Sequence, residues 1–328
     1  MGCCIIEISY SRVSTYQRCP YQHNLRYNER LRPKAIVRPL TFGKDFHRLL
    51  EVRQDKKDLS KTIKEVRAVF NDLKDDQRAV LGYDYPDDLK TVFLDYQKVW
   101  KGDELPSDTE QRFDIPMGKL SGEKVMFVGV IDEVYDCGKM LGEHKTFGRA
   151  PNMSFIIMNT QGSLYCKAVQ ELYGIMPEKI KWDFIKSETA KYPAWLEKSQ
   201  RFSEAQNQGI TPFSWQRACK ERGIVDQKVL DVGKRYEPNI SNFFFRYAID
   251  VEADMVNKVW SDFEDTARQI VSRGHKDLRQ VITRDCSWCS YFDICYGQFT
   301  GADVEYIKAK NYETKPQEDE EDVESSCD

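Results

Sequence analysis

The sequence predicts an α/β protein with helices around a sheet, and three observations carry that expectation. Residues 127–146 form two β-rich runs around a short Gly-containing break, the pattern of a β-hairpin. Residues 179–186 read as a further strand. Amphipathic stretches at 41–53, 60–101, 153–173 and 243–273 read as helices, the second broken near 83–88 and the last, one helix or two in succession, ending at Gly274.

Taken in order, the hairpin comes first because the chemistry lies on it. With Cys137 and Gly138 at the turn, Asp136 pairs with Lys139 and Asp132 falls opposite Glu143. Directly opposed Cβ atoms lie roughly 4.5–5.5 Å apart. Strand alternation adds Lys145 to the Glu143 face. Two carboxylates so close hold either a proton or a cation between them, and a hard divalent metal fits. Asp132 also interrupts the apolar series Val128, Val130, Val134, which is expected to face a core, and a carboxylate on a core face needs a partner.

These residues resemble a known family. Gly129-Val130-Ile131-Asp132 followed by Glu143-His144-Lys145-Thr146 is similar to the G-x-I-D and (D/E)-x-K-T motifs of the PD-(D/E)XK nucleases, more narrowly of their RecB-like branch. The chain departs from the pattern in lacking Pro before Asp132 and in using Glu as the second acid, both common variations. The resemblance implies a restriction-endonuclease-like core, a mixed sheet flanked by helices. It also implies hydrolysis of DNA phosphodiesters with Mg²⁺ or Mn²⁺ held by Asp132, Glu143, His47 and the backbone carbonyl of His144, with Lys145 at the attacking water. Phe42-Gly43-x-x-x-His47 resembles the family's early-helix motif. On its own, His47 at the edge of the stripe formed by Phe42, Phe46, Leu49 and Leu50 reads as a core or hydrogen-bonding residue. Gln161-x-x-x-Tyr165 matches the Q-x-x-x-Y motif that orients DNA in the family; without it the stretch is an ordinary helix.

The 328 residues are 41% hydrophobic and 12% aromatic, enough to bury a sizeable core in one large domain or two small ones. No apolar run reaches the roughly 20 residues of a membrane span. The opening Met-Gly-Cys-Cys lacks the Ser or Thr of a myristoylation signal, because Ile6 stands there. The expectation is a cytoplasmic protein with no membrane association, in the host cytoplasm where a phage encodes it. Net charge is −4, yet residues 318–328 hold seven acids and no base, which leaves +3 for the rest. A basic segment of Arg26, Arg30, Arg32, Lys34 and Arg38 interleaved with Tyr21 and Tyr27 suits phosphate contact and base stacking, although any one arginine reads equally as part of a solvated face.

Cys286-x2-Cys289-x5-Cys295 together with distant Cys19 offers four thiolates, a set that fits zinc as well as an iron–sulfur cluster. Ser9-x-Ser11-x4-Tyr16-x2-Cys19-Pro20 and the C-terminal triplet resemble the iron-staple signature of AddB-type and CRISPR-associated RecB-like nucleases. That likeness implies a [4Fe–4S] cluster joining the chain ends. The organisation expected is one nuclease domain over 1–312, with a helical region at 41–101, an insertion at 187–237, and an acidic tail at 313–328. Expected partners are DNA, as single strands or duplex ends, and a helicase or recombination protein. A degenerate DNA-binding scaffold of the same fold and a zinc-stabilised RNA-processing protein are the alternative functions.

Overall fold

A computed structural model describes residues 5–53, 56–273 and 276–315. The start at residues 1–4, the expected helix end at Gly274 and the acidic stretch from 316 onward lie outside the described residues.

In the N-terminal third, strand β1 (Ile5–Ile8) leads into helices α1 (Tyr10–Arg18), capped by the Ser9 side chain accepting from Arg12 N, and α2 (Pro20–His23), then short strand β2 (Leu31–Pro33). Helices α3 (Arg38–Glu51), α4 (Lys56–Asp72), α5 (Asp75–Leu81) and α6 (Tyr85–Val99) follow. On α3 the residues Phe42, Phe46, Leu49 and Leu50 are buried, as their helical spacing demands. The break expected at 83–88 is shorter: Gly82, at φ 89°, ends one helix, and Pro86 stands in the first turn of α6, where its missing N–H costs nothing.

The sheet follows. Strands β3 (Asp108–Leu120), β4 (Glu123–Tyr135) and β5 (Met140–Phe147) precede α7 (Met153–Ile157), α8 (Thr160–Tyr173) and β6 (Lys179–Lys186). The helix expected over 153–173 is thus two helices. Asn159 caps the second by accepting from Gln161 N at 2.9 Å, which interrupts the first, and left-handed Gly174 closes it. Next come the two-residue strands β7 (Trp195–Leu196) and β8 (Arg201–Phe202), helices α9 (Pro212–Glu221) and α10 (Gln227–Val232), and strand β9 (Phe244–Asp250). The chain continues as α11 (Ala253–Arg273), α12 (Phe292–Thr300), α13 (Val304–Asn311) and β10 (Tyr312–Thr314).

One expectation is overturned. Residues 244–250 are not helical; they form the edge strand β9, antiparallel to β6 from Ile185↔Phe244 to Lys179↔Asp250. The run Phe-Phe-Phe-Arg-Tyr is rich in residues that suit a pleated surface, and pairing with β6 decides its conformation.

The main sheet is mixed, in the order β1-β4-β5-β6-β9 with β3 also on β4. Pairs β1/β4 and β5/β6 are parallel; β3/β4, β4/β5 and β6/β9 are antiparallel. One face packs Phe127, Leu141 and Trp182 against α1, α8 and α11 through Val13, Val169 and Phe263. The other packs Ile185 and Phe244 against α3 and α6 through Phe42, Phe46, Phe93 and Tyr96. Residues 195–236 bury their own small cluster around Trp215.

The two chain ends meet. β10 pairs with β2, the Tyr16 hydroxyl donates to Asp277 at 2.6 Å, the Tyr291 hydroxyl donates to Leu31 O at 2.8 Å, and Lys308 meets Glu29 at 2.8 Å. Cys19, Cys289 and Cys295 pack around the apolar cluster at this junction.

Candidate metal centre and its surroundings

The hairpin turns as a tight 3₁₀ loop in which Asp136, Cys137 and Gly138 all have positive φ. Its ladder runs Tyr135↔Met140, Val134↔Leu141, Glu133↔Gly142, the register read from the sequence, and stops one pair short of Asp132 and Glu143. The expected core series differs, however. Phe127, Ile131 and Val134 share the core cluster while Val128 and Val130 are half-buried. Residues three apart on one face mean that alternation fails between them, at Asp132. The neighbouring strand is irregular at the same level: Glu110, which lies level with Asp132, has φ 49° and is skipped in the register, which shifts again between Pro116 and Gly118. This double irregularity takes Asp132 out of the strand pattern and brings Glu110 to it.

The result is the cluster that sequence reasoning only partly foresaw. His47 Nδ1 on α3 lies 3.5 Å from Asp132 Oδ1 and 4.0 Å from Glu110 Oε1. These are the ligand atoms that, among the described residues, come together closely enough for one ion, all within 4.8 Å of each other. Asp132 Oδ2 accepts from the backbone N–H of His144 at 2.7 Å, which ties β4 to β5 where the ladder has ended. Burial opposes the charge on Asp132, but His47, His144 and Lys145 prevail and hold its carboxyl well below the usual range. On His47, burial disfavours the cation, while Asp132 and Glu110 override it and raise the imidazole above its ordinary value. A hard divalent ion fits this donor set of two carboxylates and an imidazole.

Glu143 and Lys145 project to the α8 side of β5, both buried, with Nζ 3.6 Å from Glu143 Oε2. Lys145 Nζ also lies 5.8 Å from the Trp182 ring centre, and its charge reaches Asp132 and His47; Glu143 does not join the three-ligand group itself. Gln161 and Tyr165 are buried on the first turns of α8. Tyr165 meets Phe113 edge-on, with ring centroids 5.5 Å apart.

Gly129 explains its own presence in the motif: a Cβ there would stand 2.6 Å from Phe113 Cζ and 3.4 Å from the Tyr165 hydroxyl. Gly129→Ala is therefore expected to strain a closed contact by about 1–3 kcal/mol and lower the melting temperature by about 2–5 °C in a chain of this size. Differential scanning calorimetry reads this, and an unchanged melting temperature would mean that the Phe113 ring moves aside freely.

On the opposite face of the sheet, the His144 side chain is enclosed by carboxyl and hydroxyl groups. Its Nε2 lies 3.2 Å from the Tyr96 hydroxyl, 3.6 Å from Glu133 and 3.8 Å from Asp183. Fully buried Asp183 accepts from Tyr96 at 2.8 Å and from Arg246 Nη2 at 2.9 Å. Glu133 meets Arg53 at 2.6 Å and Lys181 at 3.3 Å, and Tyr135 donates to it. This network braces β4, β5 and β6 directly behind Asp132.

The arginines of the basic segment are half-buried. Arg32 donates to Arg26 O at 2.6 Å, Arg26 stacks over Tyr27 at 5.2 Å, and Arg30 adopts φ 54°. The four candidate cysteines are free thiols of intermediate exposure. Burial, reinforced by Cys289, Cys19 and Cys286, pushes the Cys295 thiol up to about 11. The four thiols do not converge to single-ion distances.

A mixed sheet flanked by helices, with a His–Glu–Asp cluster at one strand end, is consistent with the core of a metal-dependent nuclease. Residues 7–296 match the model of the PD-(D/E)XK nuclease superfamily, and this chain belongs to that superfamily. No curated protein matches the chain. Among solved structures, a candidate exonuclease from Eubacterium rectale aligns with a TM-score of 0.44 at 12% identity, over 87% of each chain. The protein SSO0001 aligns with a TM-score of 0.33 at 12% identity, over 77% of this chain and 83% of that one.

Proposed function

We propose that the protein is a Mg²⁺- or Mn²⁺-dependent deoxyribonuclease of the RecB-like branch, acting as an exonuclease on DNA in recombination, repair or replication. The observation that carries the reading is the convergence of His47, Glu110 and Asp132, with Lys145 on the next strand, β5. His47, Asp132 and Glu110 would hold the ion, with Glu143 and the His144 carbonyl as the further donors that the motif supplies. A divalent ion bound there polarises a phosphoryl oxygen and acidifies water.

The chain's own residues do the rest. Lys145 orients the attacking water and offsets charge that builds on the phosphate. The His144 backbone N–H fixes the Asp132 carboxylate so that one oxygen stays directed at His47. Gln161 and Tyr165 set the strand, and Arg26, Arg30 and Arg32 add phosphate affinity away from the centre. The test is digestion of end-labelled single-stranded, blunt and circular DNA with Mg²⁺ or Mn²⁺. Stepwise shortening from ends supports the exonuclease reading; no cleavage of any substrate would sink it.

Cys19, Cys286, Cys289 and Cys295 are proposed to hold a [4Fe–4S] cluster. Replacing Cys19 with Ala is expected to bleach the 400 nm absorbance of anaerobically purified protein. It should lower the melting temperature by less than loop-closure arithmetic alone suggests, since that gives about 5–6 kcal/mol for so long a loop. The junction has other bonds, including Tyr16 to Asp277 and β2 to β10, and they persist without the cluster. Full iron content in that variant would remove Cys19 from the ligand set.

A further inference from the structure

The five-residue helix α7 sits in the connection between the two parts of the candidate site, Lys145 on β5 and Gln161 on α8. It is anchored by one side: Ile156 is buried in the main core and Met153 packs against the same cluster. The outward side is also apolar. Phe155 is 70% exposed, Ile157 54% and Met158 62%. Exposed apolar side chains occur elsewhere on this surface, but here three fall within four residues and form one patch in the connection.

We infer that Phe155, Ile157 and Met158 form a base-contacting wedge for unpaired nucleotides of the strand entering the site, an inference that rests on the nuclease reading above. Three observations select this occupant. The first is position: six residues separate Phe155 from Gln161, and at no more than about 3.6 Å per residue the wedge stands within about 20 Å of it. The second is charge. Between Glu143 and Glu171, which pair with Lys145 and Lys167, the chain carries no acid, and exposed Arg149 stands in the connection itself as a base for a polyanion. The third is size. Three side chains are far smaller than the roughly 800 Å² per partner of a stable protein interface, but match the faces of one or two bases. Bases present apolar π-faces to any sequence, which suits stacking on Phe155 and insertion of Ile157 and Met158. A duplex hides those faces, so the wedge favours single strands or frayed ends.

The test compares the parent with the triple variant Phe155→Ser, Ile157→Ser, Met158→Ser. Binding of single-stranded DNA carrying 2-aminopurine is followed in EDTA, and cleavage of end-labelled single-stranded and blunt duplex DNA in Mn²⁺. The expected result is a parental melting temperature, binding at least tenfold weaker, loss of 2-aminopurine quenching, and a smaller ratio of single-strand to duplex cleavage. Phe155→Tyr should keep the quenching and Phe155→Leu lose it, which separates stacking from bulk and serves if the triple variant does not fold. If the parent cuts DNA but all variants quench and discriminate as it does, the wedge is overturned and the nuclease reading survives. Unchanged DNA behaviour with altered oligomeric state would also overturn it, assigning the patch to contact between copies of the chain. A parent that neither binds nor cuts DNA removes the reading on which the inference stands.

Discussion

Asp132→Asn is expected to reduce cleavage on the order of a thousandfold or more while leaving the fold intact, the largest effect on activity of any single change. Asn keeps an oxygen able to accept from the His144 N–H, now 2.7 Å away, so the tie between β4 and β5 survives. What disappears is the negative charge that His47 and Lys145 are arranged around. Lys145→Ala should cost about a hundred- to a thousandfold, the usual penalty for removing one preorganised electrostatic contact in a dry site. Glu110→Gln distinguishes the observed cluster from the ligand set suggested by the motif alone: Mn²⁺ affinity by titration calorimetry should fall, and excess Mn²⁺ should restore part of the activity. Parental Mn²⁺ affinity in that variant would exclude Glu110 as a ligand. Retained activity in folded Asp132→Asn at saturating metal would remove Asp132 from the mechanism.

How much of this was legible in the sequence follows from how local each signal is. Asp132, Glu143 and Lys145 lie on one hairpin, and counting back from its turn gives the register of their strands. His47 was legible only through the likeness of Phe42-Gly43-x-x-x-His47 to the family's early-helix motif, since the stripe of Phe42, Phe46 and Leu49 by itself reads it as a core residue. Glu110 had no such signal. It sits among Ser, Asp and Gln with no periodicity, and it reaches His47 because a positive φ in β3 coincides with the break at Asp132. Non-local pairing likewise hid β9. The apolar spacing of Val256, Val259 and Phe263 extends backwards plausibly as a helix, while the strand owes its existence to β6, some sixty residues earlier. At α7 and α8 the obstacle was a side-chain cap: Asn159 inside an otherwise helical stretch was a stop signal. The motif thus revealed the chemistry, and the supports behind it, Tyr96, Glu133, Asp183 and Arg246, were visible only once the strands were paired.

Glu133→Gln is expected to be the most destabilising of the conservative changes, by about 3–5 kcal/mol, because it leaves Arg53 and Lys181 as buried cations without their carboxylate. For a chain of this length that corresponds to a fall of about 5–8 °C in melting temperature. The cost has a pH signature. Burial raises the Glu133 carboxyl, but His144, Lys181 and Arg53 outweigh it and bring it down to about 2 from an ordinary 4.5. A carboxyl lowered in the folded state contributes its full stability above about pH 4.5, and that contribution is lost as pH falls towards 2. The gap between parent and variant should therefore be constant from pH 7 to 5 and shrink steadily from 5 to 3. A gap that stays the same at pH 3 would assign the loss to packing or to the hydrogen bond from Tyr135 rather than to charge. Because Glu133 adjoins Asp132 in the chain and contacts His144 across the strands, the same variant should also weaken Mn²⁺ binding at pH 7 without touching a ligand, since the brace that fixes β4 against β5 has lost its anion.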